Sequence, residues 1–188
     1  MDTRKLMSIS ALTILVLALG SALAMWSEEL RINATVETGE VDVKWSDWWC
    51  SDEGPDPQAE GFRNDEGKDV ASCLVEVELE DDEGDPIKLL VTLDNAYPGY
   101  SVDVYLIVDN IGTIPVKLYS ATIEIDPEAP IEAWFMIPED TQIDPGGTGE
   151  YILHIEVLQE AEENTTYEGV FEAILVFAQW NEVVETPD

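Results

Sequence analysis

Residues 149–158 read Gly-Glu-Tyr-Ile-Leu-His-Ile-Glu-Val-Leu (GEYILHIEVL). Tyr151, Leu153, Ile155 and Val157 fall on one side of an extended chain, with Glu150, His154 and Glu156 on the other. Successive strand side chains point to opposite faces, so this spacing predicts a half-buried β-strand. The reading extends along the chain. Residues 101–109 (SVDVYLIVD) alternate in the same way, and residues 116–126 and 170–180 (VFEAILVFAQW) are further strands. Residues 72–79 (SCLVEVEL) and 87–93 (IKLLVTL) are joined by the acidic connection 80–86, which makes a hairpin. Turn chemistry separates the strands: Pro98-Gly99, the run 110–113, Asp126-Pro127, Ala129-Pro130 and Asp144-Pro145-Gly146-Gly147. Trp134 to Ile137 form a short apolar segment. Nothing downstream of the leader reads as a capped helix of more than a turn or two. Eight or nine short strands predict an all-β protein, an antiparallel β-sandwich or jelly roll.

Residues 1–24 read as a cleaved secretion signal. Arg4 and Lys5 supply the positive start, residues 6–19 the apolar run, and Ala22-Leu23-Ala24 the small-residue cleavage site. The alternative is an uncleaved anchor, but the run is short for a membrane span. Cleavage would leave 164 residues, enough for one well-packed core. It removes Asp2, Arg4 and Lys5, leaving six basic and 40 acidic residues, a formal −34 against −33 for the whole chain. That field repels nucleic acid and anionic lipid, and it repels copies of the same chain unless salt or cations cancel it. The plainer reading is a charge that serves solubility.

Cleavage places residues 25–38 (MWSEELRINATVET) at the new N-terminus. Leu30, Ile32, Ala34 and Val36 alternate with Arg31, Asn33, Thr35 and Glu37, a further strand pattern. No turn ties it to a neighbour, so it pairs either within its own body or with another molecule. Residues 36–45 read as the next strand, through Val41, Val43 and Trp45. The domain plan is then a signal at 1–24, an N-terminal strand at 25–35, and one sandwich at 36–188 interrupted by a long acidic loop, 46–71. In that loop Trp48 and Trp49 either cap the core or meet a neighbouring subunit. An even cysteine count in an exported chain predicts a Cys50–Cys73 disulfide, a metal pair being the alternative. Closing 22 intervening residues would add roughly 3 kcal/mol. Asn33 and Asn164 head glycosylation sequons.

Further motifs follow in a consistent order: Val36-Glu37-Thr38-Gly39-Glu40-Val41-Asp42-Val43, then Tyr97-Pro98-Gly99-Tyr100-Ser101-Val102, then Val108-Asp109-Asn110-Ile111-Gly112-Thr113. Asp144-Pro145-Gly146-Gly147, Asn164-Thr165-Thr166-Tyr167-Glu168-Gly169 and a last strand with Gln179 complete the series. Together these resemble the camelysin/TasA group of secreted β-sandwich proteins. The acidic composition and the Trp-rich cysteine loop look most like archaeal surface-filament subunits, the bundling pilins and the subunits of extracellular cannulae. The resemblance implies an extracellular or cell-surface homopolymer, growing head-to-tail as the leading strand of one subunit completes the sandwich of the next. That role falls on Met25, Trp26, Leu30, Ile32 and Ala34. It also implies calcium-assisted assembly, with neighbouring cells or filaments as further partners.

Calcium favours clustered oxygens on turns. The candidates are Asp81, Asp82, Glu83 and Asp85 in one connection and Asp126 with Glu128 in another, alongside Asp52, Glu53 and Asp56, Asp65, Glu66 and Asp69, and Glu162 with Glu163. None matches the twelve-residue calcium loop, and each alone also reads as a solvated charge run. An enzyme is not expected. There is one histidine, His154, no HExxH, and no nucleophile elbow. The alternatives are a monomeric sugar-binding surface module using Trp48, Trp49 and Trp134, and a camelysin-type metalloprotease.

Overall fold

The computed structural model describes residues 2–22, 31–58, 63–162, 165, 167 and 169–183. Met25, Trp26, Leu30, Glu163 and Asn164, and the Leu23-Ala24 part of the cleavage site, lie outside them. The chain divides into two units, Met1–Glu37 and Thr38–Asp188. The first contains α1 (Thr3–Ala22). Its start is closed by the Lys5 and Leu6 amides donating to the Asp2 carbonyl at 2.8 and 3.2 Å. No helix among the described residues is long and apolar enough to cross a membrane.

The second unit is an antiparallel β-sandwich. Its strands are β1 (Val43–Cys50), β2 (Ser72–Glu80), β3 (Pro86–Asp94), β4 (Ser101–Asn110), β5 (Val116–Ile125), β6 (Ile131–Met136), β7 (Gln142–Ile143), β8 (Thr148–Val157) and β9 (Phe171–Gln179). One layer is a continuous sheet in the order β1-β4-β8-β6. Its central strands supply most of the core: Val102, Val104, Leu106 and Val108 from β4, Tyr151, Leu153, Ile155 and Val157 from β8. The alternation read in residues 101–109 and 149–158 is therefore the core itself. The other layer is split into a β2-β3 hairpin and a β7-β5-β9 sheet. Leu89, Val91 and Leu93 of the hairpin, and Phe171, Ala173, Leu175 and Phe177 of β9, pack down on the shared core.

Strand directions follow from the pairings and the links. Taking β4 as rising, its antiparallel partners β1 and β8 descend and β6 rises. The disulfide joins the lower end of β1 to the start of β2, so β2 rises and β3 descends. The chain leaves the top of β4 by a short loop into β5, which descends, and β9 rises beside it. Lys44 near the top of β1 reaches Asp85 in the hairpin turn at 2.6 Å, in agreement with this arrangement.

Two expectations are corrected. The loop expected at 46–71 begins only after Cys50, because β1 runs through Trp48 and Trp49. A bulge between Trp45 and Asp47 inserts Ser46 and reverses the phase. Val43 and Trp45 pack on the core before it, and Trp48 and Cys50 after it, so strict alternation disappears from the sequence while the strand continues. The strand expected at 36–45 begins only at Val43, and residues 36–42 carry no ladder. Among the described residues before it, 31–35 carry none either, and Ile32 and Val36 are 94% and 85% exposed. Alternation records which side chains would share a face; the strand itself requires a partner edge.

Candidate strand-accepting groove

Among the described residues, the split in the second layer leaves β3 and β9 each hydrogen-bonded on one side only, β3 to β2 and β9 to β5. Between their lower ends lies a groove of about 1170 Å³. Residues 90–94 of β3 form one wall, Val170 and Phe171 the other, and Ile155 and Val157 of β8 line its floor. Its rim includes Val70, Tyr97 and Pro98 on one side and Ala161 and Tyr167 on the other. These residues come from the lower ends of β3, β8 and β9, so the mouth lies at the lower end of the sandwich. A gap with two unpaired edges and an apolar floor is costly to leave open, and an extended segment satisfies both.

The lower rim is held by two aspartate–tyrosine bonds. Asp56 is 3% exposed. Its Oδ1 accepts the Val70 and Ala71 amides at 2.8 and 3.2 Å, and its Oδ2 accepts the Tyr97 hydroxyl at 2.7 Å. Tyr100 donates to Asp52 at 2.7 Å, and the two phenol rings meet edge to face at 5.7 Å. Burial, then the hydrogen bond to its aspartate, pushes both phenols above the ordinary tyrosine range. Asp52 Oδ1 is enclosed with no partner among the described residues. The turn that carries these tyrosines is type II, with Tyr100 N–H donating to Tyr97 O at 2.9 Å and Gly99 at φ 87°.

At the opposite end a clamp holds residues 40–42 against the loop at 111–113. Ile111 and Gly112 amides donate to the Asp42 carbonyl, each at 3.1 Å. Thr113 N–H donates to Glu40 O at 3.0 Å, and Glu40 N–H donates to Thr113 Oγ1 at 2.8 Å. Gly112 is required at this point, because a Cβ would stand 2.5 Å from the Glu40 carbonyl oxygen. Buried Asn110 holds the loop from beneath, donating to the Ile114 and Ile143 carbonyls at 2.9 Å.

The cysteines form the expected disulfide, with Cα atoms 6.1 Å apart. Among the residues assigned to strand donation, Ile32 and Ala34 are exposed and unpaired by any ladder, as is the sequon residue Asn33. The carboxylates assigned to calcium are divided between the two ends of the sandwich. Asp81 accepts the Glu83 and Asp85 amides, both at 2.9 Å, in the upper hairpin turn. Those bonds, the Asp85 amide first, hold its carboxyl below the usual range. Asp85 is taken by Lys44, whose ammonium is pushed up by the same contact. Asp82 and Glu83 remain exposed. At the lower end Asp126 accepts the Glu128 amide at 2.9 Å, a turn contact. Among the described residues, no three His, Cys, Asp or Glu side chains are arranged to hold a metal ion.

Trp48 and Trp49 point opposite ways. Trp48 packs on the core and donates to Val75 O at 3.1 Å. Trp49 lies on the outer face, stacked on Tyr105 at 5.0 Å with ring planes 4° apart. Trp134 covers His154 at 4.1 Å, and His154 Nδ1 is 2.6 Å from Asp103. The residues that line the groove and its aspartate–tyrosine rim were not assigned from the sequence. The one signal pointing toward them was Tyr97-Pro98-Gly99-Tyr100, a turn bracketed by two aromatics.

Comparison with models of known families, with curated proteins and with solved structures finds no match to this chain.

Proposed function

We propose that this chain is the structural subunit of an extracellular filament or tube, polymerising head-to-tail by donation of its leading strand. One observation carries the reading. Among the described residues, the sandwich has an open, apolar-floored groove between two singly paired strands, and the alternating segment at 31–37 carries no ladder. Insertion would turn the second layer into one continuous sheet, β2-β3-donor-β9-β5-β7. Ile32 and Val36, now in solvent, would each gain roughly 1.5–3 kcal/mol on full burial, before the cost of ordering the segment.

Charge is the opposing force. Copies carrying about thirty negative charges repel one another, and the formal charge of −33 leaves assembly dependent on counter-ions. Calcium bridging carboxylates of adjacent subunits fits this role. The turn acids Asp82, Glu83 and Glu128 are exposed for it, whereas Asp81, Asp85 and Asp126 already serve their own turns or Lys44. The sugar-binding alternative is weaker, because Trp48 points inward and a face of both Trp49 and Trp134 is occupied by a neighbouring ring.

Deletion of residues 25–34 tests the proposal. The expected product is a folded β-rich monomer that forms no polymer in negative-stain images, and fibres unchanged by the deletion would refute it. For calcium, a chelator should raise the protein concentration needed for assembly; indifference to chelator would remove the ion from the account.

A further inference from the structure

We infer that the inserted segment runs parallel to β3 and antiparallel to β9, and that this direction distinguishes a strand given by a second copy from a chain that has closed on itself. The inference rests on the proposed strand donation and adds a polarity to it. β3 descends and β9 rises, so a strand lying between them must be parallel to one and antiparallel to the other. Which one depends on the end from which it enters.

The clamp between residues 40–42 and 111–113 sets the exit of the leading segment at the upper end, beside the start of β1 and the end of β4. The mouth is at the lower end, where Leu93, Val157 and Phe171 line it. A segment from a second copy enters through that mouth with its own domain left outside. Its earlier residues then lie deepest and Glu37 lies near the mouth. Read from N to C it descends, with β3 and against β9. A chain that fills its own groove is held by the clamp at the upper end, so Glu37 lies at the top and the segment ascends, against β3 and with β9. The two arrangements bury the same alternating side chains and differ in direction alone.

The segment that fits is residues 31–37, for two reasons, and the clamp at the end opposite the mouth favours a second copy over the chain's own segment. The apolar set Ile32, Ala34 and Val36 has the two-residue period that a strand over an apolar floor requires. Its polar set, Arg31, Asn33, Thr35 and Glu37, would then face outward, level with outward-facing Glu172, Ile174 and Val176 of β9. Glu172 marks the mouth end of β9, and Val176 lies four residues up, about 13 Å away.

Paired cysteines read the direction. Glu37→Cys is combined in the full chain with Glu172→Cys, and separately with Val176→Cys. Each double variant is assembled, oxidised mildly and run on a denaturing gel without reductant. Glu37→Cys with Glu172→Cys should give a ladder of covalent oligomers, and the Val176→Cys pair should give none. A ladder from the Val176→Cys pair alone would keep donation and overturn the direction. A cross-linked band at monomer size from that pair would show self-closure and overturn both the direction and the donation. Filaments without a cross-link from either pair would move the strand out of this groove and overturn the inference. Imaging of both variants before oxidation confirms that they assemble as the parent does.

Discussion

Ile32→Ala separates the proposed strand donation from any role within the chain's own domain. Ile32 is 94% exposed, so its truncation removes almost no packing from the free subunit. Substitutions at such positions shift stability by about 0.5 kcal/mol or less. In the assembled state the same side chain would lie on the groove floor. Ile→Ala removes three carbon groups at about 0.8 kcal/mol each, about 2.4 kcal/mol per contact. Each 1.4 kcal/mol is a tenfold change in an equilibrium constant, so the critical concentration for assembly should rise about fifty-fold. The assay has two arms: thermal unfolding of the unassembled subunit, followed by circular dichroism, and pelleting of polymer across a concentration series. The expected result is an unchanged melting curve with a large rise in critical concentration. An unchanged critical concentration would refute burial of Ile32 in the polymer. A lowered melting temperature of the isolated subunit would place Ile32 within its own sandwich and contradict its donation to a neighbour.

Four other outcomes follow from the same geometry. Asp56→Ala strands the buried Ala71 amide, the Val70 amide and the Tyr97 hydroxyl, at about 1–3 kcal/mol per unsatisfied buried group, so urea unfolding should show a loss of at least about 2 kcal/mol, with Asp56→Asn losing less. Gly112→Ala forces residues 40–42 off the loop at 111–113. Hydrogen exchange should speed up at the Ile111, Gly112 and Thr113 amides while β4 and β8 stay protected. Tyr97, Tyr100 and Tyr151 hold their protons more tightly folded than unfolded, burial pushing Tyr151 up to about 12. The unfolded chain therefore ionises first, and stability present below about pH 10 should fall as pH rises above it, less steeply in Tyr97→Phe and Tyr100→Phe. Reduction of Cys50–Cys73 should lower stability by roughly 3 kcal/mol, read from denaturant midpoints with and without reductant.

Much of the architecture was legible in the sequence, and the reasons differ by element. β4 and β8 showed clearly because each buries one whole face, so nearly every second residue is constrained to be apolar. The β2-β3 hairpin showed because an acidic, glycine-containing turn separates two apolar runs. β1 was half lost to a single inserted residue, Ser46, and β7 to its length of two. The acids tell the opposite story. Asp56 sits in a glycine- and proline-rich acidic run and looks no different there from Asp52, Asp65 or Asp69. That it is buried under three donors depends on Val70, Ala71 and Tyr97, which are near it only in the folded chain.

The amino-acid order by itself determined an all-β chain with a disulfide, a strongly negative charge and an alternating apolar–polar segment at 30–37. Those are local properties: side-chain polarity repeated every two residues, turn residues, and a sum of charges. Only the tertiary structure decided that the second layer is split, that β3 and β9 border the opening, and that the clamp and the mouth stand at opposite ends. Pairing and direction are relations between segments far apart in the chain. No local pattern encodes them, because one alternating strand fits any edge that offers it backbone partners and a place for its apolar face.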